Sequence, residues 1–452
     1  MAPAAISGAQ PGVHPYSNYW YPVKVRTAYR CRAYPDEAQQ QIHARLFGCI
    51  RVVWNRTLTL RHERYATEGK PTGYAETDRA LTAMKKDPNF AFLNDVSSVP
   101  LQQVLRHQHQ AFAAFFGKRA RYPRFKSRRS RQSAHYTRSA FALHGGVLRL
   151  AKTDAPLHYV WSWPEIDTAS LDPKTVIVAR EPDGRWYVTF TVDADDPEPL
   201  PETGRAVGVD LGVKDFAVLS TGEKIPNPRH LERRARNLAR YQRRLARCQE
   251  GSANRVKAKA KVARAHRKVR DARKDFLHKT STQLVRQYDV IAVEDLNVAG
   301  MTSRPKPRPD GEGGHRHNGA AAKSGLNRSL GGAAFGEFRR QLEYKCERHG
   351  RVLVAVNRWY PSSKTCSACG HLLAELSLGT RTWQCPSCGS RHDRDINAAK
   401  NILAAGQAVA RGDPGNACGA DVRHPGSPPV QSAVKQEPRG ASPGIPVPRG
   451  GE

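Results

Sequence analysis

The chain has 452 residues and carries 73 Lys+Arg against 41 Asp+Glu, giving a formal net charge of +32 and a pI near 10.2. That imbalance exceeds what solubility requires and points to a polyanionic partner, nucleic acid first. The length exceeds one compact domain, which disfavours a small sticky basic protein, and the lack of any apolar run of about 18 residues excludes a membrane helix.

In chain order, residues 1–19 are expected to be disordered, and they lack the apolar core of a signal peptide. Val23 to Arg30 reads as a strand, and Pro35-Asp36-Glu37 then starts a helix with acid in its first turn. Ile42, Leu46, Ile50, Val53 and Thr57 continue it at helical spacing. A second helix begins near Pro100, where Leu101, Leu105, Gln108, Phe112 and Phe115 keep the period until Gly117 stops it. From Lys118 the segment KRARYPRFKSRRSRQSAHYTR mixes cations, which suit phosphates, with flat rings, which suit bases. Its candidate contacts are Arg121, Tyr122, Arg124, Phe125, Lys126 and Arg128, the plainer alternative being a solvated basic loop. Thr175 to Val192 reads as a hairpin turning at Pro182-Asp183-Gly184. Residues 20–35 and 118–200 are therefore expected to form one β-rich domain, interrupted by a helical insert over 36–117.

Residues 195–204 (DDPEPLPETG) read as a linker, and AVGVDLGVKDFAVLSTGEKI as two short strands joined by a turn. From Arg229 to Asp275 a helical hairpin is expected, broken at Glu250-Gly251-Ser252, with Leu231, Leu238 and Leu245 on one seam and Val262, Val269 and Phe276 on the other. Its other faces hold most of the 18 Lys and Arg in this stretch, so Arg243, Arg244, Arg267 and Lys268 are candidate nucleic-acid contacts. Residues 289–296 (DVIAVEDL) form an apolar strand ending in acids, followed by an irregular Gly/Pro-rich insert over 301–323. A helix with Phe335, Phe338, Leu342 and Cys346 on one side ends at Gly350, and RVLVAVNRWY is another buried strand. Residues 406–452 are expected to be a disordered tail.

Nine cysteines invite a disulfide reading, yet four of them fall in two pairs, Cys366-x2-Cys369 and Cys385-x2-Cys388, separated by fifteen residues. This is four-cysteine zinc spacing, each pair clasping the ion and the intervening segment forming a short hairpin. Four thiolates leave no place for water, so such a zinc is structural. A redox pair is the competing reading; Gly370 and Gly389 directly after the two knuckles argue against it. His371 and His392 are surplus donors, and Cys31, Cys49, Cys248, Cys346 and Cys418 are expected to be inert.

Three carboxylates stand in unusual settings: Asp210 on the apolar strand AVGVDLG, Glu294 at the end of VIAVE, and Asp395 in the first turn of a helix beginning DRDINAAKNIL. A carboxylate on a buried strand is costly without a partner, and a cation would offset that cost. Mg²⁺ takes oxygen ligands, and two such ions can activate water and stabilise the leaving oxygen of a phosphodiester. Residues two apart do not share a helix face, so Asp393 is assigned as the helix cap and Asp395 as the ligand. Taken singly, each acid could be an ordinary strand-end or cap residue.

Together, GVDLGVKDFAVLSTG, IAVEDLNVAGM, LNRSLGGAAFGEFRRQLEYK, CSACG, CPSCG and HDRDINAAKNI resemble the TnpB family of transposon-encoded proteins, RNA-guided DNA endonucleases related to compact type V CRISPR effectors. The resemblance spans roughly residues 20–403. It implies an α/β multidomain protein with an RNase H-like RuvC nuclease domain (205–360 and 393–405) and an inserted four-cysteine zinc ribbon (361–392). Before these it implies a wedge β-barrel (20–35 and 118–200) with an inserted helical recognition lobe (36–117). Asp210, Glu294 and Asp395 match the catalytic acids that bind Mg²⁺, Asp210 being the best candidate to bridge both ions, and Cys366, Cys369, Cys385 and Cys388 match the ribbon's Zn²⁺ ligands. The implied partners are a guide RNA and target DNA, and the implied location is the prokaryotic cytoplasm, at the nucleoid. The alternatives are a nuclease-inactive RNA-guided repressor, in which loss of an acid would be expected, and a transposase joining DNA ends directly.

Overall fold

The computed structural model describes residues 24–128, 130–195, 198–311, 314–377, 379–410 and 421–423. The expectations for residues 1–19, 411–420 and 424–452 lie outside them. The chain divides into two compact units, one drawn from residues 1–197 and 230–272, the other from 198–229 and 273–452. No described helix is long and apolar enough to cross a membrane.

In the first unit, strands β1 (Lys24–Ala33), β2 (Gln132–Thr137), β5 (Tyr159–Val160), β6 (Pro173–Arg180) and β7 (Trp186–Asp195) pair antiparallel in the order β2-β6-β7-β1-β5. Strands β3 (Phe141–His144) and β4 (Val147–Leu150) form a separate hairpin. Among the described residues β2 and β5 end the ladder, so hydrogen bonding does not close the expected barrel. Helix α1 (Glu37–Glu68) starts with a capping box: Asp36 accepts from the Gln39 backbone at 2.8 Å, and the Gln39 side chain accepts from the Asp36 N–H. Leu46, Ile50, Val53 and Thr57 are buried as the periodicity predicts, with Ile42 partly so. Helices α2 (Tyr74–Lys86) and α3 (Ser98–Phe116) follow; Leu101, Leu105, Gln108 and Phe112 face inward, and Gln108 donates to the Trp54 carbonyl on α1 at 2.9 Å. One apolar core joins the helices (Leu46, Val53, Leu105) to the sheet (Tyr136, Val176, Val188, Phe190).

Helices α4 (His230–Arg247) and α5 (Ala253–Gln287) form the expected hairpin, with the chain turning at Gly251 in the left-handed region, φ +80°. Leu238 and Val269 are buried, while Leu231, Leu245, Val262 and Phe276 are half-buried. Residues 230–272 group with the first unit, while the expected nuclease domain, 205–360, spans them. The physical cause lies in the β6–β7 turn, where Asp183 pairs with Arg267 and Glu181 pairs with Arg270 at 3.1 Å.

In the second unit, β8 (Ala206–Leu211), β9 (Asp215–Leu219), β10 (Lys224–Pro226), β11 (Val290–Glu294) and β12 (Val352–Val356) form a mixed sheet in which β8, β11 and β12 are parallel. Helices α6 (Val298–Met301), α7 (Ala320–Ala333) and α8 (Phe335–Arg348) follow β11. Strands β13 (Thr382–Gln384) and β14 (Arg391–Asp393) pair with each other, and α9 runs from Arg394 to Ala410. The helix thus continues five residues beyond 405, and a strand β15 (Asp421–Arg423) pairs with β12, so part of the expected disordered tail is regular structure. Strand alternation splits the sheet into two faces. Val207, Val209, Ile291, Val293 and Leu353 pack with Phe338 and Leu342 of α8 and with Leu277 and Leu284 of α5, whereas Ala292, Val354 and Val356 pack with Ile402 and Ala405 of α9. The linker is pinned at its C-terminal end. Buried Arg351 donates to the carbonyls of Leu200, Pro201 and Val285 and pairs with Asp289 at 2.8 Å, and Asp289 accepts from the N–H groups of Thr203 and Gly204.

Candidate metal centres

The four ribbon cysteines come together: the Sγ atoms of Cys366, Cys369, Cys385 and Cys388 all lie within 4.8 Å of one another. Cys366 and Cys388 are 3.7 Å apart and Cys369 and Cys385 3.6 Å apart. A zinc–thiolate bond of about 2.3 Å gives a tetrahedron edge of about 3.8 Å, so the thiols fit zinc and are not spaced for disulfides. Two equivalent knuckles produce this spacing. The N–H of Gly370 donates to the Cys366 carbonyl and that of Gly389 to the Cys385 carbonyl, both at 2.9 Å. Both glycines have positive φ, +78° and +72°, which a Cβ would disfavour. His392 is more than surplus: its Nε2 lies 3.0 Å from the Cys366 Sγ, placed to support that ligand from outside.

The acids arise from different parts of the chain and meet on the α9 face of the sheet. Gly208 and Asp210 are two residues apart on β8, so they share a face, as do Ala292 and Glu294 on β11. The register pairs Val209 with Val293, which brings Asp210 and Glu294 to the same end of the parallel strands. Helix α9 can approach because the strand positions beneath it are small. A Cβ on Gly208 would overlap the Ala399 carbonyl oxygen and come within 2.6 Å of the Leu403 nitrogen, and one on Gly406 would come within 2.5 Å of the Ala292 Cβ. One pleat beyond Gly208 is Asp210, and one helical turn before Ala399 is Asp395, so the closest contact of strand and helix sets these two acids near each other. Burial, and then the charges of Glu294 and Asp395, push the Asp210 carboxyl up to about 8 against the pull of Arg394. Burial also raises Glu294, opposed by its hydrogen bond from Ser362. The three acids do not close as tightly as the thiols: among the described residues, only the cysteine group has all its donor atoms within 4.8 Å.

Several groups that hold this face went unmarked in the sequence. Ser362 Oγ donates to Glu294 Oε1 at 2.9 Å. Asn401 Nδ2 donates to the Ser362 and Thr365 carbonyls at 2.7 and 2.6 Å, Asn397 Nδ2 donates to the Thr365 carbonyl, and Asn397 Oδ1 accepts from Ser367 N–H. The two asparagines are one turn apart on α9 and clamp the segment leading into the ribbon. Asp393 accepts from the N–H groups of Asp395 and Ile396, which makes it the cap of α9, and pairs with Lys224 at 2.7 Å. Burial raises its pKa, but Lys224 and these backbone donors outweigh that and hold it below the ordinary range. Asp295, next to Glu294, is engaged by Arg339 and Arg358 and so serves as a structural ion-pair partner. Arg381 lies 3.4 Å from Asp395.

The candidate nucleic-acid contacts divide. Arg121, Arg124 and Arg128 are exposed, and Tyr122 and Phe125 are 40% and 54% exposed, both resting against His62 of α1. The segment is held there: Trp54 Nε1 donates to the Arg124 carbonyl, and Asn55 bonds both backbone groups of Lys126. Lys126 itself turns inward over the Trp54 ring, 4.4 Å from its centroid, and burial lowers its pKa. Arg243, Arg244 and Lys268 are exposed, whereas Arg267 is engaged by Asp183 and by Asp271 at 3.0 Å, so its guanidinium already has carboxylate partners.

Three family models match: residues 189–304 match one described as "Probable transposase" (OrfB_IS605), 335–402 match "Cas12f1-like, TNB domain", and 25–70 match "Helix-turn-helix domain" (HTH_OrfB_IS605). The last span consists here of β1 and one 32-residue helix. A "Putative RNA-guided DNA endonuclease" of Streptomyces pristinaespiralis is 46% identical over 94% of this chain and 99% of its own. "Putative RNA-guided DNA endonuclease InsQ" of Escherichia coli K12 is 31% identical over 91% and 97%. A solved chain described as "Cryo-EM structure of the Cas12f1-sgRNA-target DNA complex" aligns over 84% of this chain and 99% of its own, at 12% identity and a TM-score of 0.46.

Proposed function

The chain belongs to the TnpB family of transposon-encoded RNA-guided DNA endonucleases, and from that premise we propose that it is an RNA-guided, Mg²⁺-dependent DNA endonuclease of RuvC type. The observation that carries the reading is the sharing of one sheet face by Asp210, Glu294 and Asp395, with Asp210 feeling both other charges. Two Mg²⁺ ions held by these acids would supply an activated water and a counter-charge for the leaving oxygen. The chain's own residues do the rest. Asp210, raised first by burial and then by both other acids, would be the acid shared by the two ions. Ser362 occupies Glu294 Oε1 and so fixes the direction of its other oxygen. Asp393 and Lys224 hold the first turn of α9 and thereby Asp395. Zn²⁺ on Cys366, Cys369, Cys385 and Cys388 is structural, since four thiolates complete its shell.

Guide RNA and target DNA are the partners in this reading. The exposed cations and rings of 121–128, together with Arg243, Arg244 and Lys268, are offered as phosphate and base contacts. The test is cleavage of DNA by the full-length protein purified with its RNA in Mg²⁺. Asp210→Ala is expected to abolish cutting while nucleic-acid binding persists; loss of both would make Asp210 a structural acid. Binding without cutting by the unaltered protein would favour a repressor, and strand-transfer products would favour a transposase.

A further inference from the structure

Trp359 is the most exposed large apolar side chain among the described residues, at 85%. It is not on a loose segment. Its N–H donates to Asn357 Oδ1 at 2.9 Å, the Tyr360 N–H to the Asn357 carbonyl at 3.0 Å, and the Ser362 N–H to the Tyr360 carbonyl at 2.8 Å. The residue before it, Arg358, binds Asp295, and Ser362, three residues after it, binds Glu294. The indole is therefore bracketed by contacts to Glu294, on the acidic face, and to Asp295, which follows it at the end of β11. Three residues of chain span at most about 11 Å, the length of about three stacked nucleotides.

An indole on a rigid turn, with no ring or cation partner among the described residues, gains nothing for the fold by facing water. A flat ring beside a phosphate-seeking site is suited to a nucleobase, and a base freed from a duplex offers it a face. We propose that Trp359 is a positioning residue for the nuclease, its indole stacking on a base of the single DNA strand whose phosphate reaches Asp210, Glu294 and Asp395. The proposal rests on the endonuclease reading above and adds a residue that holds the strand beside the acids.

Two measurements separate the failure of one from the failure of the other. With the full-length RNA-bound protein in Mg²⁺ and a single-stranded DNA oligonucleotide, Trp359→Ala is expected to raise KM about tenfold or more with kcat nearly constant, and Trp359→Phe to restore most of the loss. An unchanged KM in the alanine variant, or a phenylalanine variant as poor as alanine, overturns the proposal. The second measurement needs no cutting. In the Asp210→Asn background, a single-stranded oligonucleotide carrying 2-aminopurine is expected to be quenched on binding, and Trp359→Ala to abolish the quenching. Quenching that survives Trp359→Ala overturns the stacking site. Quenching that depends on Trp359, when the protein with Asp210 intact cuts no DNA, upholds the stacking site and strikes the endonuclease reading instead.

Discussion

The two candidate metal centres are built in opposite ways. The ribbon draws its four donors from 23 consecutive residues, and its thiols already stand 3.6 and 3.7 Å apart in two of their pairings, within a few tenths of an ångström of a zinc tetrahedron. The acidic face draws three donors from positions 210, 294 and 395, on three different elements, and leaves them further apart. A closed thiolate shell suits an ion that never exchanges its ligands. Carboxylates held apart on a sheet face, one of them pushed up to about 8, remain in want of positive charge. The first arrangement suits the stabilisation of a fold; the second gathers negative charge that bound cations would relieve.

The largest effect tests the closed centre. Stripping zinc, or Cys366→Ser, is expected to remove about 10 kcal/mol or more of metal-derived stability from the ribbon. Limited proteolysis should then open residues 366–392 while β8, β11 and β12 stay protected. Joint melting of the ribbon and the sheet would erase the contrast.

Next comes the open centre. Asp210→Asn is expected to lower cutting by more than the roughly 100-fold typical of losing an outer-shell group. The same change should stabilise the metal-free protein. The sign follows from linkage: Asp210 binds its proton up to about 8 in the fold but only up to about 3.8 when unfolded, so the folded state holds more protons between those limits. Its contribution is full below the lower value and is lost as pH rises towards the upper, at up to about 1.4 kcal/mol per pH unit. Denaturant melts of metal-free protein should show that slope, and Asp210→Asn should flatten it; Mg²⁺ should flatten it too if the acids hold the ion.

Gly208→Ala probes the approach of α9 and is expected to cost about 1–3 kcal/mol by overpacking, with zinc content unchanged and cutting reduced. A variant that cuts normally would show that Asp395 does not depend on this contact. Ser362→Ala is the mildest, about 1 kcal/mol from one hydrogen bond; because Ser362 pulls the Glu294 pKa down, the acid limb of the pH–rate profile should move upward.

Legibility in the sequence followed locality. Knuckle spacing, the helix start at Pro35-Asp36-Glu37 and the 175–192 hairpin are set by neighbours along the chain, and the residues themselves displayed them. That Asp210, Glu294 and Asp395 were unusual was also visible, from carboxylates on apolar strands, but that they meet depends on the parallel register of β8 and β11 and on the crossing of α9. Gly208 and Gly406 offered no sign that a helix backbone passes over them, because closeness of approach is a property of two surfaces. Arg267 looked like its exposed neighbours until Asp183, 84 residues earlier, took it up. Ser362, Asn397 and Asn401 were hidden for the same reason: polar residues next to a motif are common, and only the fold shows which carbonyls they reach.

The asparagine clamp has a consequence for how the chain can be rebuilt. Asn397 grips Thr365 and Ser367 where the ribbon departs from the sheet, while Asp393 ends β14 immediately before α9, the helix that supplies the grip. The two ends of the zinc module are therefore stapled by the sheet unit itself, and the segment between them is tied to α9 as well, through the Arg394 N–H on the Arg381 carbonyl at 2.8 Å. The segment between the knuckles can then change in length only while it keeps Cys366, Cys369, Cys385 and Cys388 within reach of one ion and the Arg381 carbonyl within reach of the Arg394 N–H.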